Sequence, residues 1–332
     1  MTNWPVAEGV FELGDLKVER GGTIARARIV WRTHGTLSPA RDNVVLYPCS
    51  YTAQHADMEW AIGPDSLFDP GRWFVVIPNL FSNGLSSGAA DTPDYPSVVT
   101  YHDVVAAQAR LLREQWGIER LAAVYGFSMG AQQAYHWATR PGVERAVVVC
   151  GSARTAVHNR VFLSSLLRTL EAAPEHLGNG RFLAEPRLNL KAFGHIYAGW
   201  ALSQDFYRAG LHITALGAPD LETFLRTDWE ERNYKRRAAN LYAQLKTWEA
   251  GDIADGGDLA AALRAIEARV LLLPSTTDLY FRVADNEAEA VHLRHARLAP
   301  IQSIWGHRAG APNGIPEEFA FLKREIRDWL ET

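Results

Sequence analysis

Leu121-Ala122-Ala123-Val124-Tyr125-Gly126-Phe127-Ser128-Met129-Gly130 is the stretch whose reading decides the fold. An apolar run leads straight into G-x-S-x-G. Behind it, Ala131 to Ala138 has good helix formers and meets no breaker until Pro141. Strand, sharp turn and helix form the context in which this pattern presents a serine hydroxyl above the end of a sheet. Gly126 and Gly130 let the neighbouring backbone pass close by, because neither carries a Cβ. Ser128 is therefore the candidate nucleophile.

Working outward, other short apolar runs repeat the first. Val44 to Tyr47, Trp73 to Ile77, Ala146 to Cys150 and Val270 to Leu273 are continuously apolar, as strands buried on both faces must be. Helical patterns lie between several of them. Thr100-Tyr101-His102-Asp103 reads as a capping box with Asp in the acidic position, opening a helix over 104–115. Phe319, Leu322, Ile326 and Leu330 form one stripe of a last helix that has Pro316 near its start. The expectation is an α/β fold: a mostly parallel sheet with helices on both faces. Before it, residues 10–35 read as antiparallel β structure, with Ala25, Ala27, Ile29 and Trp31 on one face and a turn at Gly21-Gly22. Residues 152–265 interrupt the alternation with helical, aromatic-rich sequence that includes Tyr197, Trp200, Phe206 and Trp248. They read as a helical cap, with 1–151 and 266–332 as the core; a separate helical domain is the alternative. A cap would exclude water from a site at the carboxyl ends of the strands.

An activated serine needs a base, and the base needs a carboxylate to orient it. The run 271–273 leads through Pro274-Ser275-Thr276-Thr277 to Asp278. The extended segment from Pro300 delivers His307. Serine, acid and histidine thus follow one another in the order this architecture uses. The oxyanion N–H groups would come from Met129, after the nucleophile, and from the loop Pro48-Cys49-Ser50-Tyr51-Thr52. Cys49 and Cys150 read as buried free thiols, and His292 with His295 lacks the further ligands of a metal site.

Composition sets the remaining bounds. The 332 residues, 47% hydrophobic and 22% charged, can build a large core without a disulfide or metal. A net charge of −4 argues against a nucleic-acid partner. Met1-Thr2-Asn3-Trp4-Pro5 lacks the basic and apolar regions of a signal peptide, and no apolar run is long enough to span a membrane. Cytoplasmic location, a small-molecule substrate and no cofactor are expected.

The chain resembles the homoserine O-acetyltransferase branch of the α/β-hydrolases nearly end to end. The resemblance runs through Asn43 to Thr52, Trp60-Ala61-Ile62-Gly63-Pro64, Arg72 to Asn79, Pro96 to Asp103, Gly117 to Gly130 and Ser303-Ile304-Trp305-Gly306-His307. It implies Ser128 as nucleophile, Asp278 as orienting acid, His307 as base, Tyr51 and Met129 as oxyanion donors, and a homodimer. Trp200, Asn240, Tyr242 and Arg308 become candidate substrate contacts. The chain also departs from that branch. Where the acetyltransferases place an Asp after the histidine, to hold the amino group of homoserine, this chain has Arg308. At the cap arginine it has Ala201 or a neighbour, with Arg208 nearby, and Ala238 stands where an Asp is usual. A guanidinium repels an ammonium. The expected activity is therefore hydrolysis of a small ester or thioester through an acyl-enzyme. An O-acyltransferase using acetyl-CoA and another alcohol, and a non-catalytic binding protein of the same fold, are the alternatives.

Overall fold

The computed structural model describes residues 4–331; Met1 to Asn3, part of the stretch read for a leader, lie outside the described residues. Eight strands form one sheet in the order β1-β2-β4-β3-β5-β6-β7-β8. They are β1 (Val6–Lys17), β2 (Thr23–His34), β3 (Val44–Leu46), β4 (Phe74–Pro78), β5 (Ala123–Phe127), β6 (Arg145–Val149), β7 (Arg269–Leu273) and β8 (Ala296–Leu298). β1 and β2 pair antiparallel, as do β2 and β4; every other pair is parallel.

The continuous apolar runs have the expected cause. Val45, Ala123, Val147 and Leu271 belong to one buried cluster, while Val44, Val124, Val148 and Leu272 belong to a second. Successive side chains of each strand thus feed opposite faces, and both faces are covered. The helix Tyr101–Trp116 begins at the predicted capping box: the Thr100 N–H donates to Asp103 Oδ2 at 2.8 Å, and the Asp103 N–H donates to Thr100 Oγ1 at 3.2 Å. The helix Pro316–Glu331 buries Leu322, Ile326 and Leu330 as predicted, with Phe319 partly buried against Trp60.

Two expectations need correction. Strict alternation in β2 fails at its start: Ile24 is buried and Ala25 exposed. Arg26 has φ +48° and its N–H donates to Asp15 Oδ1 at 2.8 Å, so a bulge re-phases the strand. Ala27, Ile29 and Trp31 then face inward as expected. The segment from Pro300 is not a strand. β8 ends at Leu298, and Ile301 adds a single bridge to Ser275 before the chain turns toward His307.

Between β6 and β7 the chain is helical, with Val157–Glu171, Arg187–Ala201 and Ala238–Glu249 the longest helices. This segment leaves and rejoins the sheet at one neck. The Thr155 N–H donates to Gly251 O at 2.8 Å and the Ile253 N–H to Ala153 O at 3.0 Å. The final helix of the segment, Leu259–Ala265, sends Leu263 into the cluster on one sheet face. No described helix is long and apolar enough to cross a membrane.

Candidate active site

The elbow follows from sterics. Ser128 sits between β5 and the helix Met129–Ala138 with φ +60° and ψ −125°, a region that L-residues seldom occupy. Its N–H donates to Val149 O at 3.0 Å. A Cβ on Gly126 would lie 2.0 Å from Gly130 O, and one on Gly130 would lie 2.6 Å from Pro48 O. Both glycines are therefore required by backbone contact, one inside the turn and one against the 48–52 loop.

The structure brings Ser128, Asp278 and His307 together across 150 residues and more of chain. His307 Nε2 is 2.8 Å from Ser128 Oγ, and His307 Nδ1 is 2.6 Å from Asp278 Oδ2. Asp278 is buried and its other oxygen accepts from the N–H groups of Tyr280 (2.7 Å) and Phe281 (3.2 Å). A carboxylate held this way fixes the imidazole with Nδ1 protonated and leaves Nε2 free to accept the serine proton. Gly306 sets the approach of the histidine. Its φ is +63°, its N–H donates to Thr277 Oγ1 at 3.1 Å, and a Cβ there would meet Ala201 O at 2.8 Å.

The first helix N–H groups have no partner within their helix, and that of Met129 donates to no described group; neither does that of Tyr51. The 48–52 loop is tied to the elbow by a hydrogen bond from Ser50 Oγ to Phe127 O and one from Gln133 Nε2 to Cys49 O at 2.9 Å. An oxyanion requires two such free donors beside the reacting hydroxyl.

The other expected contacts fare differently. Asn240 spends its side-chain oxygen on the Ala90 N–H at 2.9 Å, and the Tyr242 hydroxyl donates to Glu171 Oε1 at 2.9 Å, so both serve contacts inside the protein. Trp200 stacks on Tyr280 at 6.5 Å, and Tyr280 in turn packs edge-on against His307 at 4.7 Å. Arg308 lies over Trp305, 5.5 Å from the ring centroid, and burial lowers its pKa from the usual arginine value. Ala201 is buried and Arg208 is exposed, paired loosely with Asp205 at 4.0 Å.

Sequence reasoning missed the shell around His307. Phe127 (4.6 Å), Tyr280 and Phe281 (5.7 Å) enclose the imidazole. Phe127 directly precedes Ser128, and Tyr280 and Phe281 follow Asp278 by two and three residues, a signal that position alone could have supplied. Cys150 is also drawn in: its sulfur, Asp278 and His307 lie within 4.8 Å of one another. Burial, followed by the Asp278 charge, holds its thiol far above the usual range, so it is inert as a nucleophile. Cys49 is likewise buried, and its thiol is raised by desolvation.

Known proteins resemble this arrangement as a whole. The sequence profile described as the alpha/beta hydrolase fold matches residues 44–290. A probable esterase of Corynebacterium glutamicum is 33% identical over 309 residues, covering 89% of this chain and 88% of its own. An ethyl acetate hydrolase of Pseudomonas veronii is 32% identical, covering 90% of this chain and 89% of its own. A homoserine O-acetyltransferase of Gluconobacter oxydans is 29% identical, with 89% and 86% covered. Among solved structures, the acetyl esterase MekB superposes with a TM-score of 0.93 at 29% identity, covering 98% of this chain and 97% of that one. With a profile match over most of its length and relatives above 30% identity across nearly all of it, this chain belongs to the alpha/beta hydrolase fold family.

Proposed function

We propose that this protein hydrolyses small carboxylic esters in two steps through an acyl-serine. The observation that carries the reading is His307, held 2.8 Å from Ser128 Oγ and 2.6 Å from Asp278. His307 takes the serine proton as Oγ attacks the ester carbonyl. The N–H groups of Tyr51 and Met129 receive the oxyanion, a contribution of about 3 kcal/mol per donor. As the tetrahedral centre collapses, the C–O bond breaks and His307 protonates the departing alcohol. Water then attacks the acyl-serine with His307 again as base, and Ser128 leaves with the proton. Asp278 stays ionised and steadies the imidazolium. The relatives named for esters and for ethyl acetate support a short acyl group. Two buried free thiols are consistent with a reducing compartment, and cytoplasmic location is part of the proposal.

The segment 152–265 is proposed as the cap over this site. The neck at 153–155 and 251–253 supports a narrower limit, 156–250, since Leu263 packs with the sheet. Arg308, beside His307, is a poor neighbour for the ammonium of homoserine, and this favours water over that acceptor.

Three measurements test the reading. p-Nitrophenyl acetate should be hydrolysed, a fluorophosphonate should add once to the wild-type chain by intact mass, and Ser128→Ala should lose both. An equal adduct on Ser128→Ala would overturn the nucleophile. With acetyl-CoA and candidate alcohols supplied, turnover that depends on the alcohol and releases little free acid would make the protein an O-acyltransferase instead.

A further inference from the structure

We propose that Arg232 and Arg236 form a subsite for a carboxylate carried by the ester; this rests on the hydrolase reading above. A cavity of about 390 Å³ is walled by Thr52 on the core side and by Arg232, Lys235, Arg236 and Arg237 on the side of the inserted helices. Thr52 follows Tyr51, whose N–H is the proposed oxyanion donor, so the cavity borders the loop that faces the reacting carbonyl.

The charges in this cavity are unbalanced. Arg237 is neutralised, with Glu185 at 2.7 Å and Asp91 at 3.4 Å. Arg232 and Arg236 have no carboxylate within ion-pair distance among the described residues. The one acid lining the cavity, Asp57, is engaged by the Gln54 N–H at 2.9 Å. Arg236 is half-buried and its Nη1 donates to Thr52 O at 2.9 Å, which aims the guanidinium at the 51–54 loop and leaves the rest of its fork unused. Burial lowers its pKa from the usual value, and the Arg232 charge lowers it further against the opposing charge of Asp57.

A half-buried cation without an ion-pair partner, as Arg236 is, costs solvation, and the exposed Arg232 near it repels it. An incoming carboxylate relieves both, and the planar guanidinium can hold it with two parallel hydrogen bonds. A neutral ester gains neither. The cluster is therefore a device for choosing an ester that bears a negative charge.

The test compares kcat/KM for two matched pairs: mono-p-nitrophenyl succinate against p-nitrophenyl butyrate, with the charge on the acyl side, and 4-acetoxybenzoate against phenyl acetate, with the charge on the alcohol side. Wild type should prefer the charged member of one pair, which also shows which end of the ester the subsite takes. That preference should fall about tenfold in Arg232→Gln, further in Arg232→Glu, and should shrink as salt rises. Arg232 is exposed and makes no hydrogen bond that holds the fold, so both variants should remain folded. Succinate should also bind the Ser128→Ala protein in a calorimetric titration and lose affinity when Arg232→Gln is added. An unchanged preference in both variants, or no succinate binding to Ser128→Ala, would overturn the subsite. If wild type hydrolyses none of the esters, the proposed activity falls, and the succinate titration alone decides the subsite.

Discussion

Gly130 lies in the first turn of a helix, where alanine is ordinarily better than glycine by about 1 kcal/mol. Here tertiary contact reverses the sign. A Cβ would stand 2.6 Å from Pro48 O and 3.5 Å from Ser50 Oγ, and the nearer atom is backbone that cannot rotate away. Gly130→Ala should lose about 1–3 kcal/mol of stability. Because the displaced loop carries Tyr51, kcat on p-nitrophenyl acetate should fall at least about tenfold as the proposed oxyanion donor is pulled out of line. A variant that melts higher and keeps kcat would refute this. At this scale the sequence was readable where chemistry constrains order: Ser128, Asp278 and His307 each follow an apolar run or extended segment, in the sequence the mechanism needs. The internal partners of Asn240 and Tyr242, Ala90 and Glu171, were not legible because they lie 150 and 71 residues away, and no local pattern announces them. The cavity walled by Thr52, Arg232 and Arg236 was invisible for the same reason, since Thr52 lies 184 residues from Arg236 and meets it only through the fold.

Elements were legible in proportion to how fully they are buried. A strand covered on both faces writes itself as an unbroken apolar run, so β3 to β7 could be found; β2 needed the Arg26 bulge, a backbone event that no alternation pattern encodes. Joints between elements were not legible at all, and the helix Val283–Ala290 shows why. Its Glu289, fully internal, ties three elements together: the Tyr135 hydroxyl from the elbow helix (2.7 Å), the Ala153 N–H at the neck (2.8 Å) and Asn286 Nδ2 from its own helix (2.9 Å). Burial raises its carboxyl from 4.5 to about 7 against the pull of these donors. Below pH 4.5 both folded and unfolded chains hold the proton. Between 4.5 and 7 only the folded chain does, so stability is lost as pH rises through that window. The loss amounts to about 3 kcal/mol. Glu289→Gln keeps a neutral side chain of the same shape at every pH. Its unfolding free energy should lack this decline, so the two proteins should diverge between pH 4.5 and 7 in denaturant titrations. Parallel profiles would remove Glu289 as the titrating group.

For the whole molecule, the question is whether the inserted helices are a domain of their own or part of one core. Phe206 and Phe224 form a small cluster of their own with Leu202, but Phe162, Phe193 and Trp248 belong to the main core. Phe162 is completely buried, packs on Tyr280 at 4.6 Å, and belongs to the same cluster as the sheet residues Tyr125, Val149 and Leu273. Tyr197 stacks on Tyr51 at 5.8 Å, and Trp248 stacks on Phe281 at 5.7 Å. The rings that enclose His307 are thus gripped from the far side by the insertion, and a cluster this continuous gives the two parts no separate stability to express. A separate domain would instead bury its apolar surface against itself and meet the core through a thin interface. Phe162→Ala should therefore cost about 3–5 kcal/mol, the range for a large aromatic removed from a core. It should do so in one cooperative transition, with tryptophan fluorescence, backbone circular dichroism and loss of esterase activity moving together in denaturant. An independent domain would answer differently. A first transition, shifted by Phe162→Ala, would melt the helices while the sheet stayed folded, and the second transition would remain where wild type has it. That outcome would return residues 156–250 to the status of a separate unit, and would mean that the site can lose its cover without losing its fold.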